Sequence, residues 1–327
     1  MITVLAGGVG AARLLRGMIR AVPAHEVTAI VNTADDLVLH GLSISPDLDT
    51  VTYTLAEAVN PETGWGLVGE TWQAMDALER LGGAAWFRLG DRDLGTHLHR
   101  TGRLADGAGL TEVTAEITRA FGIDARLLPM TEDRVATMVT LSSDGVPADG
   151  ATEMEIGFQD YFVGLRHDVA ISGVRFDGID AARPAPGVLD AITSADTVVV
   201  APSNPIVSIG PVVAVPGIGK ALADRRDDVV AVSPIVAGSA LKGPAERMLR
   251  ELGHEPTVVG VARLYRDFAS TLVVDSADGE LVDGVEAEGM RCLVTPTVMT
   301  DVGVATDLCR TLLSLDRPVG SPAGRPR

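Results

Sequence analysis

The chain has 327 residues, of which 46% are hydrophobic, and its formal net charge at pH 7 is −17. This length and apolar content exclude a globally disordered protein. The negative charge argues against binding to nucleic acid or to an anionic membrane surface, since both need a broad positive potential. The only two cysteines are isolated, no leader segment is recognisable, and no apolar run approaches the roughly 18 residues of a membrane span. These features predict a cytoplasmic protein without a membrane segment.

The first residues predict a strand, a glycine turn and a helix. An apolar strand at 2–5 runs into a turn rich in glycine, and residues 10–21 carry an apolar stripe at helical spacing. The backbone N–H groups at the start of such a helix attract a phosphate group. We therefore expect Gly8, Val9 and Gly10 to hold the phosphate of a nucleotide. The alternative is tight packing where the strand turns into the helix.

The turn lacks two marks of a nicotinamide-binding site. The dinucleotide fingerprint has a third glycine where this chain has Arg13, and an acidic residue at the end of the second strand. The second predicted strand, at 27–31, ends instead in Asn32 and Thr33. Both side chains are expected to hydrogen-bond a base, a ribose or a phosphate. Arg13, in the first turn of the helix, is expected to contact an anionic ligand.

Four carboxylates follow within fifteen positions: Asp35, Asp36, Asp47 and Asp49. They come just after the carboxyl end of a strand, where open α/β sheets bind ligands. In an extended segment, Asp47 and Asp49 would lean to one side and offer hard oxygen ligands to Mg²⁺. The alternative is that one of the two caps a helix that begins near Val51.

The rest of the chain alternates strands and helices, which predicts a doubly wound, Rossmann-like α/β fold with a mostly parallel sheet. The later strands are predicted at 135–141, 169–174, 197–201, 229–232, 271–274 and 292–294. The later helices are predicted at 51–59, 71–80, 110–121, 187–195, 217–225, 244–252 and 302–313. We interpret residues 1–315 as one α/β domain with a mainly helical cap insertion at about 50–125, followed by a disordered tail at 316–327.

Other candidate residues lie in predicted turns. Ser203 and Asn204 follow a strong apolar strand and are expected to contact the base or ribose, although Ser-Asn-Pro is also a common turn. His40 is a candidate for the pocket. His97 and His99 follow an acidic stretch, but a helix would turn them away from each other, which argues against a metal site there.

Taken together, these motifs resemble the 2-phospho-L-lactate transferase family, called CofD in archaea and FbiA in actinobacteria. The similarity covers nearly the whole chain except the tail. Each matching segment is weak evidence by itself, but the occurrence of all of them in the same order is highly specific. Those segments are 7–10, 31–36, 46–51, 60–66, 86–93, 202–205 and 237–244. The composition, rich in alanine and arginine, favours the actinobacterial branch.

The resemblance implies a transferase of coenzyme F-420 biosynthesis. Such an enzyme moves a phosphorylated three-carbon acid from a guanosine diphosphate-linked donor to the deazaflavin Fo and releases GMP. The transferred unit is phosphoenolpyruvyl in the actinobacterial branch and 2-phospholactyl in the archaeal one. The resemblance also implies Mg²⁺ as cofactor and a homodimer.

By similarity, Asp49 and Arg88 are expected to contact Fo, and His40 is a further candidate for that pocket. Asp49 is the first candidate for the metal ligand or the catalytic base, and Asp47 is the second. These two roles compete, because a carboxylate that shares Mg²⁺ has a lowered proton affinity.

Two alternatives stay open. Arg88 could instead form a surface salt bridge with Asp91 or Asp93. The same superfamily also contains regulators, similar to gluconeogenesis factors, that bind nucleotide-sugars without catalysis. Those regulators are not expected to keep the segments 46–50 and 87–91, both of which this chain has.

Overall fold

The computed structural model describes residues 1–62, 64–142, 154–240 and 243–315, and the predicted tail at 316–327 lies outside this part of the chain. The strands are β1 (Ile2–Ala6), β2 (Val27–Val31), β3 (Leu37–Leu39), β4 (Leu42–Ile44), β5 (Arg126–Pro129), β6 (Ala136–Leu141), β7 (Met154–Gly157), β8 (Ile171–Asp177), β9 (Thr197–Val200), β10 (Val229–Val232), β11 (Ile235–Val236), β12 (Ser239–Ala240), β13 (Thr271–Val274) and β14 (Arg291–Val294). The helices are α1 (Gly8–Ala21), α2 (Pro46–Leu55), α3 (Gln73–Arg80), α4 (Asp93–Ala105), α5 (Leu110–Ala120), α6 (Val188–Ser194), α7 (Gly210–Ala214), α8 (Ile218–Ala223), α9 (Ala245–Glu251), α10 (Val258–Tyr265), α11 (Val282–Ala287) and α12 (Val302–Leu313). None of these helices is long and apolar enough to cross a membrane.

The central sheet has seven strands in the order β14-β13-β10-β9-β1-β2-β5, and every neighbouring pair is parallel. Four of its strands, β1, β2, β10 and β13, are buried along their whole length. Strands of this kind need helices on both faces of the sheet, which is why their sequences are continuously apolar. The sheet confirms the predicted Rossmann-like α/β fold.

The strand order reverses at β1. The chain runs from β1 to β2 and β5 on one side and later returns to β9 on the other side. In such sheets, ligands bind in the crevice outside the carboxyl ends of the strands at the reversal. The glycine turn follows β1 and residues 201–204 follow β9, so two segments predicted to bind the nucleotide lie at this edge.

Helices cover both faces of the sheet. On one face, α1 packs against α12 and α2. Gly17 permits the close approach to α12, because a Cβ at this position would lie 2.5 Å from the carbonyl carbon of Ala305. On the other face, α6, α8 and α10 contribute Ile192, Leu222 and Val261 to one buried core.

The segment between β2 and β5 contains the antiparallel hairpin β3–β4 and the helices α2 to α5. The helix predicted to begin near Val51 begins instead at Pro46. Proline fits the first position of a helix, since the N–H group that it lacks has no helical partner there. α4 is absent from the predicted helices, and it carries three buried polar residues, Thr96, His97 and Arg100.

A second, antiparallel sheet contains two of the predicted strands. The strands predicted at 135–141 and 169–174 correspond to β6 and β8, which form a three-stranded sheet with β7. β6 alternates between buried and half-buried residues, as expected for a strand with only one face on a core. β5, which the sequence patterns missed, takes the edge position in the parallel sheet.

Candidate active site

The glycine turn after β1 is held by side chains from two other segments. Gly8 has a φ of +69°, and its N–H donates to Asp47 Oδ1 at 2.9 Å. The Gly7 N–H donates to Ser203 Oγ at 3.3 Å, and Ser203 Oγ donates to the Gly7 carbonyl oxygen at 2.8 Å. The amides at the start of α1 therefore already attract an anionic group, which here is the carboxylate of Asp47.

The neighbours of Gly8 show close packing. A Cβ at Gly10 would lie 2.3 Å from the carbonyl oxygen of Pro202, so only glycine allows α1 to approach the end of β9. Val9 is half-buried between them. Arg13 is exposed and is the sixth residue of α1. Its expected place in the first helical turn is therefore wrong, because the helix begins two residues earlier than predicted.

Asp47 and Asp49 do not lie in the predicted extended segment. Both are in the first turn of α2, where residues two positions apart point in different directions. Asp47 accepts hydrogen bonds from Gly8 and, at 3.0 Å, from Asn32 Nδ2, whereas Asp49 pairs with Arg100. The capping alternative is also wrong for α2, whose N-cap residue is Ser45.

Asn32 connects two carboxylates. Its Nδ2 donates to Asp35 Oδ2 at 3.1 Å and to Asp47 Oδ2 at 3.0 Å, while its Oδ1 accepts from the Ala34 N–H at 3.0 Å. The side chain is completely buried. Asn32 thus organises the acidic cluster. Thr33 is also buried, and its Oγ1 has no hydrogen-bond partner within the described ranges.

The acidic cluster consists of Asp35, Asp36, Asp47 and Asp49, all largely withdrawn from solvent. Burial is the largest cause of the raised pKa of Asp35 and Asp36, and it raises the pKa of Asp47 to about 6. The charge of Asp47 raises the pKa of Asp35 further.

Two oxygens of this cluster are poorly compensated. Asp36 Oδ1 is buried and accepts no hydrogen bond from any described residue. Asp35 Oδ1 is buried without a well-aligned hydrogen bond, although the nearby Thr137 hydroxyl lowers the pKa of Asp35 against the larger effect of burial. An uncompensated buried carboxylate is unfavourable, and a cation would relieve it. Carboxylate oxygens are also the ligands that Mg²⁺ prefers in proteins. The residues present therefore fit the Mg²⁺ that the resemblance implies.

Arg100 on α4 is the cationic partner of Asp49, and it is not among the residues predicted from sequence. Only 2% of its side chain is exposed. Its Nη1 donates to Asp49 Oδ2 at 3.1 Å and its Nη2 donates to Asp49 Oδ1. Burial is the largest single effect on the pKa of Arg100 and lowers it, but the charge and hydrogen bonds of Asp49 and the charge of Asp36 together make the net shift upward. Asp93, His97 and Arg100 are spaced by four and then three residues, which places them on one face of a helix. This spacing could have identified Arg100 from the sequence.

His97 and His99 face apart, as the sequence predicts. His97 is buried, with Nε2 lying 3.3 Å from Asp93 Oδ2, whereas His99 is exposed and contacts Glu116. Asp49, Asp93 and His97 offer ligand atoms within 4.8 Å of one another, the spacing of a metal site. The guanidinium of Arg100 already occupies both oxygens of Asp49, and its positive charge opposes a second cation at this place.

The candidates for the acceptor pocket lie on the segment between β2 and β5. Arg88 is exposed, forms an ion pair with Asp76, and lies 5.4 Å from the ring centroid of Trp72. Arg88 thus forms a surface salt bridge, but its partner is Asp76 and not the predicted Asp91 or Asp93. His40 is exposed in the hairpin turn between β3 and β4, with a φ of +53°. No hydrogen bond or ion pair between described residues joins His40 or Arg88 to the acidic cluster.

Asn204 forms a turn. Its Oδ1 accepts hydrogen bonds from Ile206 N at 2.9 Å and Val207 N at 3.4 Å, and so caps the helical turn at 205–209. Ser203 is already engaged with Gly7. In the structure, therefore, both side chains stabilise the turn, which is the alternative that the Ser-Asn-Pro sequence offered.

An apolar cavity of about 560 Å³ lies elsewhere, between β8 and α10. It is lined by side chains such as Phe176, Ile209 and Phe268, and its ionisable groups are His254 and Tyr265. A diphosphate needs amide donors or positive charge. The edge of the sheet at β1 and β9 is therefore the better candidate for the active site.

Comparisons with a family model and with individual proteins point to the same family. The family model described as 2-phospho-L-lactate transferase CofD matches residues 2–298. A phosphoenolpyruvate transferase from Streptomyces griseus is 45% identical over 320 residues, covering 97% of this chain and 99% of that protein. Phosphoenolpyruvate transferases from Nocardia farcinica and Mycolicibacterium smegmatis are 42% and 40% identical, and each alignment covers 96% of this chain and at least 94% of the relative. These relatives are actinobacterial proteins.

The fold also has solved counterparts. A crystal structure of a UPF0052-family protein from Bacillus halodurans superposes with a TM-score of 0.60, covering 96% of this chain and 98% of that one. The sequence identity is 18%, so the similarity concerns the fold alone. With the family model spanning nearly all of the described residues, this chain belongs to the 2-phospho-L-lactate transferase CofD family and is an enzyme of the transferase class.

Proposed function

We propose that the protein transfers a phosphoenolpyruvyl group from a guanosine diphosphate-linked donor to the ribityl hydroxyl of the deazaflavin Fo, releasing GMP, in coenzyme F-420 biosynthesis. A 2-phospholactyl group is the other candidate unit. The observation that carries the proposal is the buried acidic cluster beside the N-terminus of α1, at the reversal of strand order. The names of the actinobacterial relatives support the phosphoenolpyruvyl unit.

The reaction exchanges one phosphorus–oxygen bond for another. The ribityl oxygen of Fo forms a bond to the donor phosphorus, the bond to the GMP oxygen breaks, and the hydroxyl proton leaves. Such transfers depend mainly on positioning and charge neutralisation. Mg²⁺, when bound, would neutralise phosphate charge and orient the reacting oxygens. Asp35, Asp36 and Asp47 are the residues proposed to hold it, with Asp49 as the remaining candidate.

The glycine turn is the proposed phosphate site. The N–H groups of Gly8, Val9 and Gly10 lie at the positive end of α1 and suit a phosphate of the donor. The Gly8 N–H already donates to Asp47, so donor phosphate and Asp47 compete for this amide. Thr33, whose Oγ1 is free to form a hydrogen bond, is the proposed polar contact with the nucleotide.

The other nucleotide candidates act more indirectly in this proposal. Asn32, Ser203 and Asn204 shape the turn and the acidic cluster, because their side chains are already engaged. Arg13 is exposed on α1 and remains the candidate for a long-range contact with the donor's negative charge.

The acceptor is proposed to bind between Asp49 and Arg88. An ionised carboxylate can accept about four hydrogen bonds. The two Nη groups of Arg100, which form a planar fork, use two of these positions on Asp49. A free position can therefore accept the proton of the ribityl hydroxyl. Arg88 beside Trp72 offers a flat cationic surface on which a deazaflavin ring could stack. His40 is the third proposed contact with Fo.

Product mass tests the function. Purified protein is incubated with Fo and with synthetic enolpyruvyl- or lactyl-linked donors in Mg²⁺, and the product is analysed by mass spectrometry. We expect the phosphoenolpyruvyl adduct of Fo together with GMP. Binding of Fo or donor without any transfer would contradict the proposal and favour a regulatory binding protein.

Removal of the metal is a separate prediction. We expect excess chelator to abolish transfer, and added Mg²⁺ to restore it, because the acidic cluster cannot neutralise a diphosphate by itself. Transfer at the full rate in excess chelator would refute the role of Mg²⁺. We also propose the homodimer that the resemblance implies, and sedimentation analysis of the purified protein tests it.

A further inference from the structure

A ring of polar side chains, buried except for the half-buried Asp93 and closed through the backbone of α2, joins α2 to α4 directly behind Asp49. Arg100 holds both oxygens of Asp49, and its Nη1 also lies 3.3 Å from His97 Nδ1. His97 Nε2 lies 3.3 Å from Asp93 Oδ2, and Asp93 Oδ1 accepts a hydrogen bond from the Tyr53 hydroxyl. Tyr53 is four residues beyond Asp49, on the same face of α2.

The donors in this ring fix the tautomer of His97. His97 Nδ1 lies 3.3 Å from Arg100 Nη1 and 3.7 Å from Asp49 Oδ2. A guanidinium can only donate hydrogen bonds, and 3.7 Å is too long for a hydrogen bond to Asp49, so we assign Nδ1 as an acceptor from Arg100. A neutral imidazole then carries its proton on Nε2, which lies 3.3 Å from Asp93 Oδ2 but forms no well-aligned hydrogen bond with a described residue. Each member of the ring thereby has one defined role and one defined orientation.

The ring sets the position of Asp49 relative to the glycine turn. Asp49 and Asp47 share the first turn of α2, and Asp47 accepts from the Gly8 N–H. Anchoring α2 to α4 through Arg100 therefore fixes the side of Asp49 that the acidic cluster and an acceptor can reach. Arg100 also faces Asp36, whose pKa its charge lowers against the larger effect of burial.

We propose that Arg100 is a positioning residue of the transfer reaction, oriented in turn by His97. Its fork holds the carboxylate of Asp49 in the orientation that receives the acceptor hydroxyl. Arg100 touches neither donor nor acceptor. The inference rests on the proposed function, and its test separates the two.

Substitutions of Arg100 test its positioning role. Arg100→Lys keeps a positive charge but loses the planar fork, and Arg100→Met loses both. We expect kcat to fall about 100-fold in Arg100→Lys, since a small misplacement of a reacting group has an effect of this size. The KM for the donor should stay close to that of the wild type, because the donor is held by α1.

Arg103 provides the matched control. It lies one turn further along α4 and pairs at the surface with Glu112 and Glu116. Arg103→Lys should keep the kcat and both KM values of the wild type. If Arg100→Met does not fold, Arg100→Lys decides the outcome. A wild-type kcat in Arg100→Lys would overturn the proposal.

Two variants of His97 distinguish positioning from mere packing. Asparagine at this position can present an oxygen near the place of Nδ1 and so keep the acceptor for Arg100, whereas glutamine replaces the Nε2 end. We expect kcat to be retained better in His97→Asn than in His97→Gln at equal folded fractions. Equal losses of kcat in both variants would contradict the orienting role of His97.

A spectroscopic measurement is independent of activity. The chain has 6 histidines, and imidazole ¹H–¹⁵N correlation spectra, assigned with His97→Asn, report the tautomer of His97. We expect the proton on Nε2 in the wild type. A proton on Nδ1 would overturn the Arg100–His97 contact. If the wild type does not transfer at all, the proposed function fails, while this spectrum still tests the ring.

Discussion

At the scale of single residues, the pairing of Asp49 with Arg100 determines what its substitution will do. Asp49→Asn keeps one acceptor oxygen for the fork but loses the charge. We expect turnover to fall by about 100-fold or more, the usual contribution of a positioned proton acceptor. The substitution also leaves the buried guanidinium of Arg100 without its counter-charge, which destabilises the fold by about 3–5 kcal/mol, so turnover is compared at equal folded fractions.

Turnover and thermal unfolding of purified Asp49→Asn check this prediction. Asp224→Asn is the control, since Asp224, just after α8, forms an exposed ion pair with Lys220 and with no other described residue. The control should keep normal turnover. Near-normal transfer by a folded Asp49→Asn would show that the residue is neither metal ligand nor base.

Individual residue types were easier to predict than their partners. The sequence identifies Asp47 and Asp49 as functional candidates, but the structure gives each a different neighbour. Asp47 meets Gly8, which is 39 positions away, and Asp49 meets Arg100, which is 51 positions away. Contacts over such distances depend on how α2 packs between α1 and α4, and no local spacing encodes that packing.

At the scale of elements, the packing of α1 against the end of β9 depends on Gly10. A Cβ there would lie 2.3 Å from the Pro202 carbonyl oxygen, and a backbone atom cannot move away cheaply. We expect Gly10→Ala to lower the free energy of unfolding by about 1–3 kcal/mol, the usual effect of overpacking.

Gly102→Ala is the matched control for this prediction. Gly102 lies within α4, and a Cβ at this position has no atom within 4 Å. Alanine should therefore stabilise the helix by about 0.5–1 kcal/mol, because glycine is a poor helix former. Urea unfolding of both variants measures the two effects. Destabilisation of equal size in both would contradict the steric explanation.

Elements with strong periodicity were predicted well, and elements set by tertiary context were not. α12 was expected at 302–313 and is found there, because it is amphipathic and Asp301 caps it. α4 was missed since its inner face carries His97 and Arg100, polar residues that interrupt the apolar stripe. β6 and β8 were predicted as strands, but the sequence of one strand does not reveal which strands it will pair with. Their pairing in a separate antiparallel sheet could therefore not be predicted.

At the scale of the whole molecule, the parallel sheet follows from its apolar runs, and the acidic cluster is the part that opposes folding. Burial of Asp35, of Asp47 and of the Oδ1 atom of Asp36 keeps carboxyl groups away from water that would solvate their charge. The cluster persists because Asn32 and Arg100 compensate part of the cost. Binding of a divalent cation to the folded state would compensate more, so activity and stability are linked through the same residues.

This linkage predicts how the free energy of unfolding varies with pH. The pKa of Asp47 is raised from 3.8 to about 6 in the folded protein, chiefly by burial. Unfolding in this range releases a proton, so the contribution of Asp47 is fully present below pH 3.8 and is lost as the pH rises through about 6. A shift of this size corresponds to at most about 3 kcal/mol.

Urea unfolding at several pH values between about 4 and 7.5, in chelator, measures this dependence. Carboxyl groups whose pKa is lowered by surface ion pairs, such as Glu288, contribute the opposite slope at lower pH. The comparison with Asp47→Asn therefore isolates the effect of Asp47, and the variant should lose less stability than the wild type as the pH rises. Added Mg²⁺ should stabilise the wild type more at pH 7.5 than at pH 5, because protons compete with the cation for the same carboxylates. Identical slopes in the two proteins, or stabilisation by Mg²⁺ that does not depend on pH, would show that the carboxyl group of Asp47 is not the source of this linkage.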